Sequence, residues 1–184
     1  MAKIYYIHGL SGSAQSATCV GLRENFDGVE CLAYPSETAT FGENLRTITD
    51  AFYGFEGIFK SPEILVVGTS LGGFFASKLA DEIARRGGVG RVKFLMINPA
   101  VSPYDAAKAQ NYPRYLVDSY KGIKISDNKK FDRKVVLCLD DELLDPSPAA
   151  EIFGKDVITF PTGGHSCWNA RKADILAVIG SMIG

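Results

Sequence analysis

A serine lies in the glycine-rich segment GTSLGG, residues 68–73, directly after the apolar run ILVV. Ser70 forms the pattern G-x-S-x-G with Gly68 and Gly72, which presents a hydroxyl at a sharp turn when a strand precedes it and a helix follows. The N-terminus of that helix adds partial positive charge for a developing anion. In isolation the pattern is equally typical of a glycine-rich turn with a helix-capping serine. Nucleophilic catalysis by Ser70 is therefore predicted only if suitable partners are present.

A serine hydroxyl is a poor nucleophile and needs a general base that a third group orients. The chain contains two histidines. His165 lies in FPTGGHSCWN, between the last predicted strand and the last predicted helix, whereas His8 follows the first predicted strand. α/β hydrolases carry their residues in the order serine, acid, histidine. This order favours His165 as the base and predicts that His8 supports the loop formed by residues 9–12.

The acid is expected in CLDDELLDPSPAA, which begins in the fifth predicted strand. Asp145 precedes a proline and a serine, which is typical of a helix N-cap, and Glu142 has no clear role. The spacing does not distinguish Asp140 from Asp141. Asn98, after the preceding strand, cannot serve as an anionic partner.

Two backbone N–H groups should stabilise the oxyanion of an acyl-transfer reaction. One belongs to Leu71, the residue after the serine, and the other is expected at Leu10, in the loop after the first strand. Loss of one such donor typically lowers kcat by ~10²–10³. The glycine-rich loop HGLSGSAQS matches neither G-x-G-x-x-G nor the Walker pattern with its lysine, which argues against a nucleotide site.

Six short apolar runs alternate with longer stretches of helical periodicity and must position these residues. The predicted strands are KIYYIH (3–8), VECLAY (29–34), EILVVG (63–68), VKFLMIN (92–98), KVVLCL (134–139) and DVITF (156–160). Several are almost continuously apolar, as in strands with both sheet faces covered. The alternation predicts a three-layer α/β/α sandwich with a mostly parallel six-stranded sheet.

The length of 184 residues predicts a single domain, residues 1–184. Only residues 101–130 break the alternation. Their tyrosines and prolines predict a small cap-like insertion, which could form an open rim or a closing lid. The tyrosines are Tyr104, Tyr112, Tyr115 and Tyr120.

Composition excludes several classes of protein. Twenty Lys and Arg against 21 Asp and Glu give a net charge of −1, which argues against a nucleic-acid partner. No apolar run has the length of a membrane span, and the N-terminus does not resemble a signal peptide. The four cysteines form no metal-ligand or CxxC spacing, so we expect free thiols and a cytoplasmic location. Neither a metal nor an organic cofactor is expected.

Five segments, spread in order over nearly the whole chain, resemble the short YqiA-like esterases of bacteria, small members of the α/β-hydrolase superfamily. They are YYIHGLSGSAQS, VVGTSLGGFFASKLA, INPAVSPYD, VVLCLDDELLD and FPTGGHSCW. In the D-E-x-L-D pattern of the family the first Asp is the triad acid, which implies Asp141. Relatives usually have Gly before this acid, whereas this chain has Asp140. Some relatives lack the serine, and Ser70 is retained here.

The resemblance implies a serine carboxylesterase that hydrolyses short-chain acyl esters of small molecules through Ser70, His165 and Asp141. A thioesterase or acyltransferase could use the same three residues. A binding module of the same fold, without turnover, is the alternative from a different class. A pure binder would not react covalently at Ser70, so labelling of this serine separates the two classes.

Overall fold

In the computed structural model, which describes residues 2–54, 63–88, 90–109 and 112–184, six strands alternate with α-helices. The strands are β1 (Lys3–Ile7), β2 (Val29–Cys31), β3 (Ile64–Thr69), β4 (Val92–Ile97), β5 (Arg133–Cys138) and β6 (Val157–Phe160). The helices are α1 (Ala17–Asn25), α2 (Phe41–Gly54), α3 (Leu71–Arg85), α4 (Pro103–Ala109), α5 (Arg114–Ser119), α6 (Ser147–Phe153) and α7 (Trp168–Ile183).

The strands form one sheet in the order β2-β1-β3-β4-β5-β6, and every pair is parallel. The predicted fold class is therefore confirmed. The second strand is shorter than predicted, because its pairing with β1 stops after Leu32, whose N–H donates to the carbonyl of Tyr6 at 2.8 Å. The predicted strand end at residue 34 is wrong, because β2 ends at Cys31 and the N–H of Tyr34 donates to the His8 side chain instead of a strand carbonyl.

Helices cover both faces of the sheet, which explains the continuously apolar strands. On one face α2 and α3 bury residues such as Phe52 and Leu79 against β1, β3 and β4. On the other face α1 and α7 bury Leu22, Ile175 and Ile179. Side chains alternate between the two faces along each strand, so each strand contributes to both cores.

The chain order reverses between β1 and β3, which are neighbours although β2 lies between them in sequence. Ligands of open α/β sheets bind outside the carboxyl ends of the strands at such a switch point. The loop after β1 and the turn after β3 meet there. The topology therefore brings the loop at residues 9–12 to Ser70.

Residues 101–130 contain α4 and α5, and residues 110–111 of this interval lie outside the described part of the chain. Tyr120 is buried and its ring contacts those of Phe41, Phe74 and Phe75 on the core, whereas Tyr115 is exposed. The segment is thus anchored on α2 and α3 by one aromatic cluster. Among the described residues, no helix has the length and hydropathy needed to cross a membrane.

Candidate active site

Ser70 lies at the turn between β3 and α3 with φ 53° and ψ −119°, a conformation that residues with a side chain rarely adopt. Such a backbone costs ~1–3 kcal/mol and persists only where the surroundings enforce it. Here the Ser70 N–H donates to the carbonyl of Ile97 at 2.9 Å, which continues the pairing of β3 with β4. The turn directs the serine side chain away from the sheet.

The glycines after Ser70 permit close backbone contacts. A Cβ on Gly72 would overlap the carbonyl of Ile7 and would lie 2.5 Å from that of His8. A Cβ on Gly73 would lie 2.8 Å from Cβ of Pro99. The glycine pattern thus lets α3 approach β1 and the segment after β4, in addition to relieving the turn itself.

His165 lies within hydrogen-bond distance of Ser70, with 2.9 Å between its Nε2 and the serine Oγ. Its Nδ1 lies 3.0 Å and 2.9 Å from the two carboxylate oxygens of Asp141. Because a carboxylate only accepts, Nδ1 carries the proton and Nε2 accepts from the serine hydroxyl. Three side chains that are far apart in sequence therefore form one chain of hydrogen bonds.

Asp141 is the carboxylate that contacts the imidazole, and its side chain is only 2% exposed. Burial raises the pKa of Asp141, but hydrogen bonds from His165 and from the N–H groups of Leu144 and Leu143 outweigh it. The pKa therefore lies below its ordinary value. The carboxyl is thus held in its ionised form.

The two acids beside Asp141 bind the backbone of the histidine loop. Asp140 accepts from the N–H of Gly164 at 2.8 Å, and Glu142 accepts from the N–H of His165 at 2.8 Å. The hydrogen bond from Gly164 holds the pKa of Asp140 below its ordinary value. The sequence indicated no role for Glu142, because its partner is a main-chain N–H. Nearly every residue provides such a group, so the contact is not visible in the spacing of residue types.

Asn98 binds the same loop from the other side and is almost fully buried. Its Nδ2 donates to the carbonyls of Gly164 and His165 at 3.0 Å and 2.9 Å, and its Oδ1 accepts from the N–H of Cys138 at 2.8 Å. Its φ of 42° lies in the left-handed region, which asparagine adopts more readily than most residues. From the sequence, Asn98 was only excluded as the acid of the triad, and its role in holding the loop was missed. Its place directly after a buried central strand is the signal that could have found it.

The loop after β1 lies against the serine. A Cβ on Gly9 would be 3.2 Å from Cβ of Ser70. Within the described chain, neither the N–H of Leu10 nor that of Leu71 donates to a backbone carbonyl; Leu71 is in the first helical position, where no intrahelical acceptor exists. Both predicted donors belong to segments that adjoin Ser70, and both N–H groups are available to a ligand.

His8 supports this loop, as predicted. Its Nδ1–H donates to the carbonyl of Gly9 at 2.8 Å, its Nε2 accepts from the N–H of Tyr34 at 3.4 Å, and the two rings stack. Burial lowers the pKa of His8, and its hydrogen bonds only partly offset this effect. The ring is therefore neutral.

Two further sequence predictions concern residues near the site. The N-cap of α6 is Pro146, so the predicted N-cap at Asp145 is wrong by one residue, although the Asp145 carboxylate accepts from the N–H of Ser147 at 2.9 Å. Cys167 is fully buried at the start of α7, and all four cysteines are free thiols. The described residues contain no cluster of three His, Cys, Asp or Glu side chains that could bind a metal ion.

A cavity of about 370 Å³ opens at Ser70 and His165. It is bounded by the loop after β1, the start of α1, the helices of the 101–130 segment and the start of α7. Among the described residues that line it, none is Lys, Arg, Asp or Glu. The site therefore combines a hydroxyl, an imidazole and a carboxylate with an uncharged cavity of small-ligand size.

Solved structures of several hydrolases share this fold. Est1E from Butyrivibrio proteoclasticus matches with a TM-score of 0.76 and 15% identity, over 99% of this chain and 86% of that one. An esterase from Pyrobaculum calidifontis matches with a TM-score of 0.71 and 20% identity, over 98% and 76%. Alpha/beta hydrolase domain-containing protein 10 from mouse matches with a TM-score of 0.72 and 16% identity, over 98% and 89%. The chain has the α/β-hydrolase fold.

Residues 3–160 match the model of the uncharacterised protein family UPF0227. The match spans most of the chain, which belongs to this YqiA-like family. No curated protein sequence matches the chain significantly.

Proposed function

We propose that the protein is a serine carboxylesterase that hydrolyses small, short-chain acyl esters through an acyl-enzyme intermediate. The single observation that carries this proposal is the hydrogen-bond chain from Ser70 through His165 to Asp141, at 2.9 Å on the serine side. The α/β-hydrolase fold of the chain, and the esterases among proteins of this fold, support a hydrolase.

In the proposed acylation, Ser70 Oγ attacks the carbonyl carbon of the ester while His165 Nε2 takes the hydroxyl proton. Asp141 keeps the proton of the imidazole on Nδ1 and stabilises the imidazolium that forms. The carbonyl oxygen becomes an oxyanion, which accepts hydrogen bonds from the N–H groups of Leu10 and Leu71. Collapse of the tetrahedral intermediate breaks the bond to the alcohol oxygen, and Nε2–H protonates that oxygen.

Deacylation repeats these steps with water as the nucleophile. His165 Nε2 takes a proton from water as the water oxygen attacks the acyl carbon. Collapse of the second tetrahedral intermediate breaks the bond to Ser70 Oγ, which regains its proton from the imidazolium. The carboxylic acid then leaves, and no other reactant is needed.

The uncharged cavity favours an oxygen ester of a neutral alcohol over a coenzyme A thioester. A coenzyme A thioester carries its phosphates at the other end of the pantetheine arm from the sulfur, for which basic side chains would be expected around the mouth of the cavity. A comparison of kcat/KM for an acyl-CoA and for a simple ester of the same acid tests this preference. A higher value for the acyl-CoA would favour the thioesterase alternative.

The test of the proposed activity is hydrolysis of p-nitrophenyl butyrate by the Ser70→Ala variant. We expect turnover to be abolished while the circular dichroism spectrum and the Tm stay close to those of the wild type. Ser181→Ala is the matched control, because this exposed serine only donates to a carbonyl within α7. Wild-type turnover by Ser70→Ala would overturn the proposal.

We further propose that residues 1–184 form one domain in which the 101–130 segment acts as a cap over the cavity. The anchoring of Tyr120 on the aromatic cluster supports a fixed rim rather than a hinged lid. The free thiols support a reducing compartment such as the cytoplasm.

A further inference from the structure

The cavity reaches both faces of the sheet, with Ser70 between them. One part lies on the α2 and α3 face under the 101–130 segment and is apolar. We call it the apolar lobe; it is lined by Leu71, Ala100, Pro103, Ala106, Leu116 and Val117. The other part lies on the α1 and α7 face. We call it the hydroxyl lobe; it is lined by Tyr6, Ser16, Thr18, Thr69, Trp168 and Asn169.

The hydroxyl lobe brings together four hydroxyl groups, two on buried residues and two on half-buried ones. Tyr6 is 2% exposed, and its Oη lies 2.8 Å from Oγ1 of Thr69. Thr18, 7% exposed, and Ser16 add two more hydroxyls. Burial raises the pKa of the Tyr6 phenol, while hydrogen bonds with Thr69, Ser16 and Thr18 offset part of this effect. The phenol therefore stays protonated and can donate.

Each hydroxyl supplies one donor and two acceptor lone pairs, and it rotates to suit its partner. A cluster of four hydroxyls without a charged neighbour in the cavity lining matches a ligand that itself carries neutral hydroxyl groups. These hydroxyls bond to one another and keep further acceptor lone pairs, which a ligand hydroxyl can use and an alkyl group in the same place cannot.

We propose that the hydroxyl lobe binds the alcohol part of a neutral ester whose alcohol carries additional free hydroxyl groups, as in a polyol ester. This inference rests on the proposed esterase function and names its substrate class. The acyl chain then occupies the apolar lobe.

The assignment of the two lobes follows from the position of His165. Its Nε2 must protonate the alcohol oxygen, so this oxygen faces the imidazole when the tetrahedral intermediate collapses. Trp168 and Asn169, which line the hydroxyl lobe, lie three and four residues after His165, at the start of α7. The alcohol therefore leaves on the side of this lobe, and the acyl chain extends to the other side, beneath the 101–130 segment.

The experiment compares two esters of butyric acid that differ only in the alcohol. One is glycerol monobutyrate. The other is its isostere, in which methyl groups replace both free hydroxyls of glycerol. We expect the wild-type kcat/KM to be higher for glycerol monobutyrate by about tenfold or more, because a site built to bind hydroxyls discriminates against an analogue that lacks them.

The Thr18→Val variant removes one hydroxyl of the lobe and preserves the shape of the side chain. We expect it to lower the ratio of the two kcat/KM values by about threefold or more. Thr47→Val is the matched control, since this exposed threonine bonds only to a carbonyl within α2. The ratio should keep its wild-type value in this variant.

Two outcomes overturn the inference, and they are distinguishable. If both esters are hydrolysed at equal rates and Ser70→Ala abolishes both activities, the hydroxyl lobe does not recognise the alcohol, although the esterase proposal stands. If neither ester is hydrolysed in a Ser70-dependent manner, the esterase proposal fails and the lobe assignment fails with it. An unchanged ratio in Thr18→Val also contradicts the inference.

Discussion

Substitution of Asn98 by alanine should lower both stability and kcat, because this residue joins the histidine loop to the sheet. It removes the acceptor of the buried Cys138 N–H, which costs ~1–3 kcal/mol. Alanine also tolerates a φ of 42° less well than asparagine, at ~1 kcal/mol. The substitution also removes the hydrogen bonds from Nδ2 to the carbonyls of Gly164 and His165. Both residues are half-buried, so water can replace the donor, and the loss of these bonds adds ~1 kcal/mol. We expect a total of about 3 kcal/mol or more.

Asn98 is a positioning residue, so its removal should act on kcat more than on KM. It does not line the cavity, whereas the loop that it holds carries the imidazole. A misplacement of a catalytic group by ~1 Å can lower the rate by ~10²-fold. Stability is measured by urea unfolding, and kcat and KM are measured with p-nitrophenyl butyrate.

Ile179→Ala is the control for loss of stability alone. Ile179 is fully buried in α7, far along the helix from His165, and its truncation costs ~2–5 kcal/mol. This variant should retain the wild-type kcat while it is folded. A folded Asn98→Ala variant with the wild-type kcat would refute the reasoning.

Asp141→Asn should lower kcat by about 10³–10⁴-fold, as expected when the imidazole loses its orienting carboxylate, whereas Asp140→Asn should lower it by only about tenfold through loosening of the histidine loop. Equal losses in the two variants, measured with p-nitrophenyl butyrate, would contradict the distinction. Because burial lowers the pKa of His8 below its ordinary value of 6.5, the unfolded chain binds a proton at a higher pH than the folded chain. Stability should therefore fall as the pH drops below about 6.5, and His8→Gln should flatten the dependence of Tm on pH in this range. Gly72→Ala should cost ~1–3 kcal/mol in urea unfolding, because its Cβ meets rigid carbonyl groups rather than a movable side chain; unchanged stability would show that α3 can shift.

The sheet could be predicted from the sequence because its signal is dense. Almost every residue of strands such as Ile64–Thr69 is buried. Because helices cover both faces of the sheet, such strands must be apolar throughout, and a short apolar run therefore indicates a buried strand. The short edge strand ending at Cys31 pairs on one side only, so its end is set by the following turn rather than by its apolar residues.

Ser70 and His165 could be named from the sequence because each lies in the turn or loop that follows a recognisable strand. Spacing narrowed the acid only to Asp140 or Asp141, and the family resemblance implied Asp141. The residues that hold His165 in place could not be named. Asn98, Asp140 and Glu142 bind main-chain N–H and C=O groups, which every residue provides, so no pattern of residue types marks these contacts. Only the folded loop shows which amides the side chains reach.

The most direct test of the central claim is covalent labelling of the native protein with a fluorophosphonate, followed by mass spectrometry of the intact protein and its peptides. We expect one adduct, on Ser70, and a labelling rate that drops sharply in His165→Gln because the hydroxyl loses its base. An unlabelled protein, or an adduct on another residue with Ser70 unmodified, would contradict it.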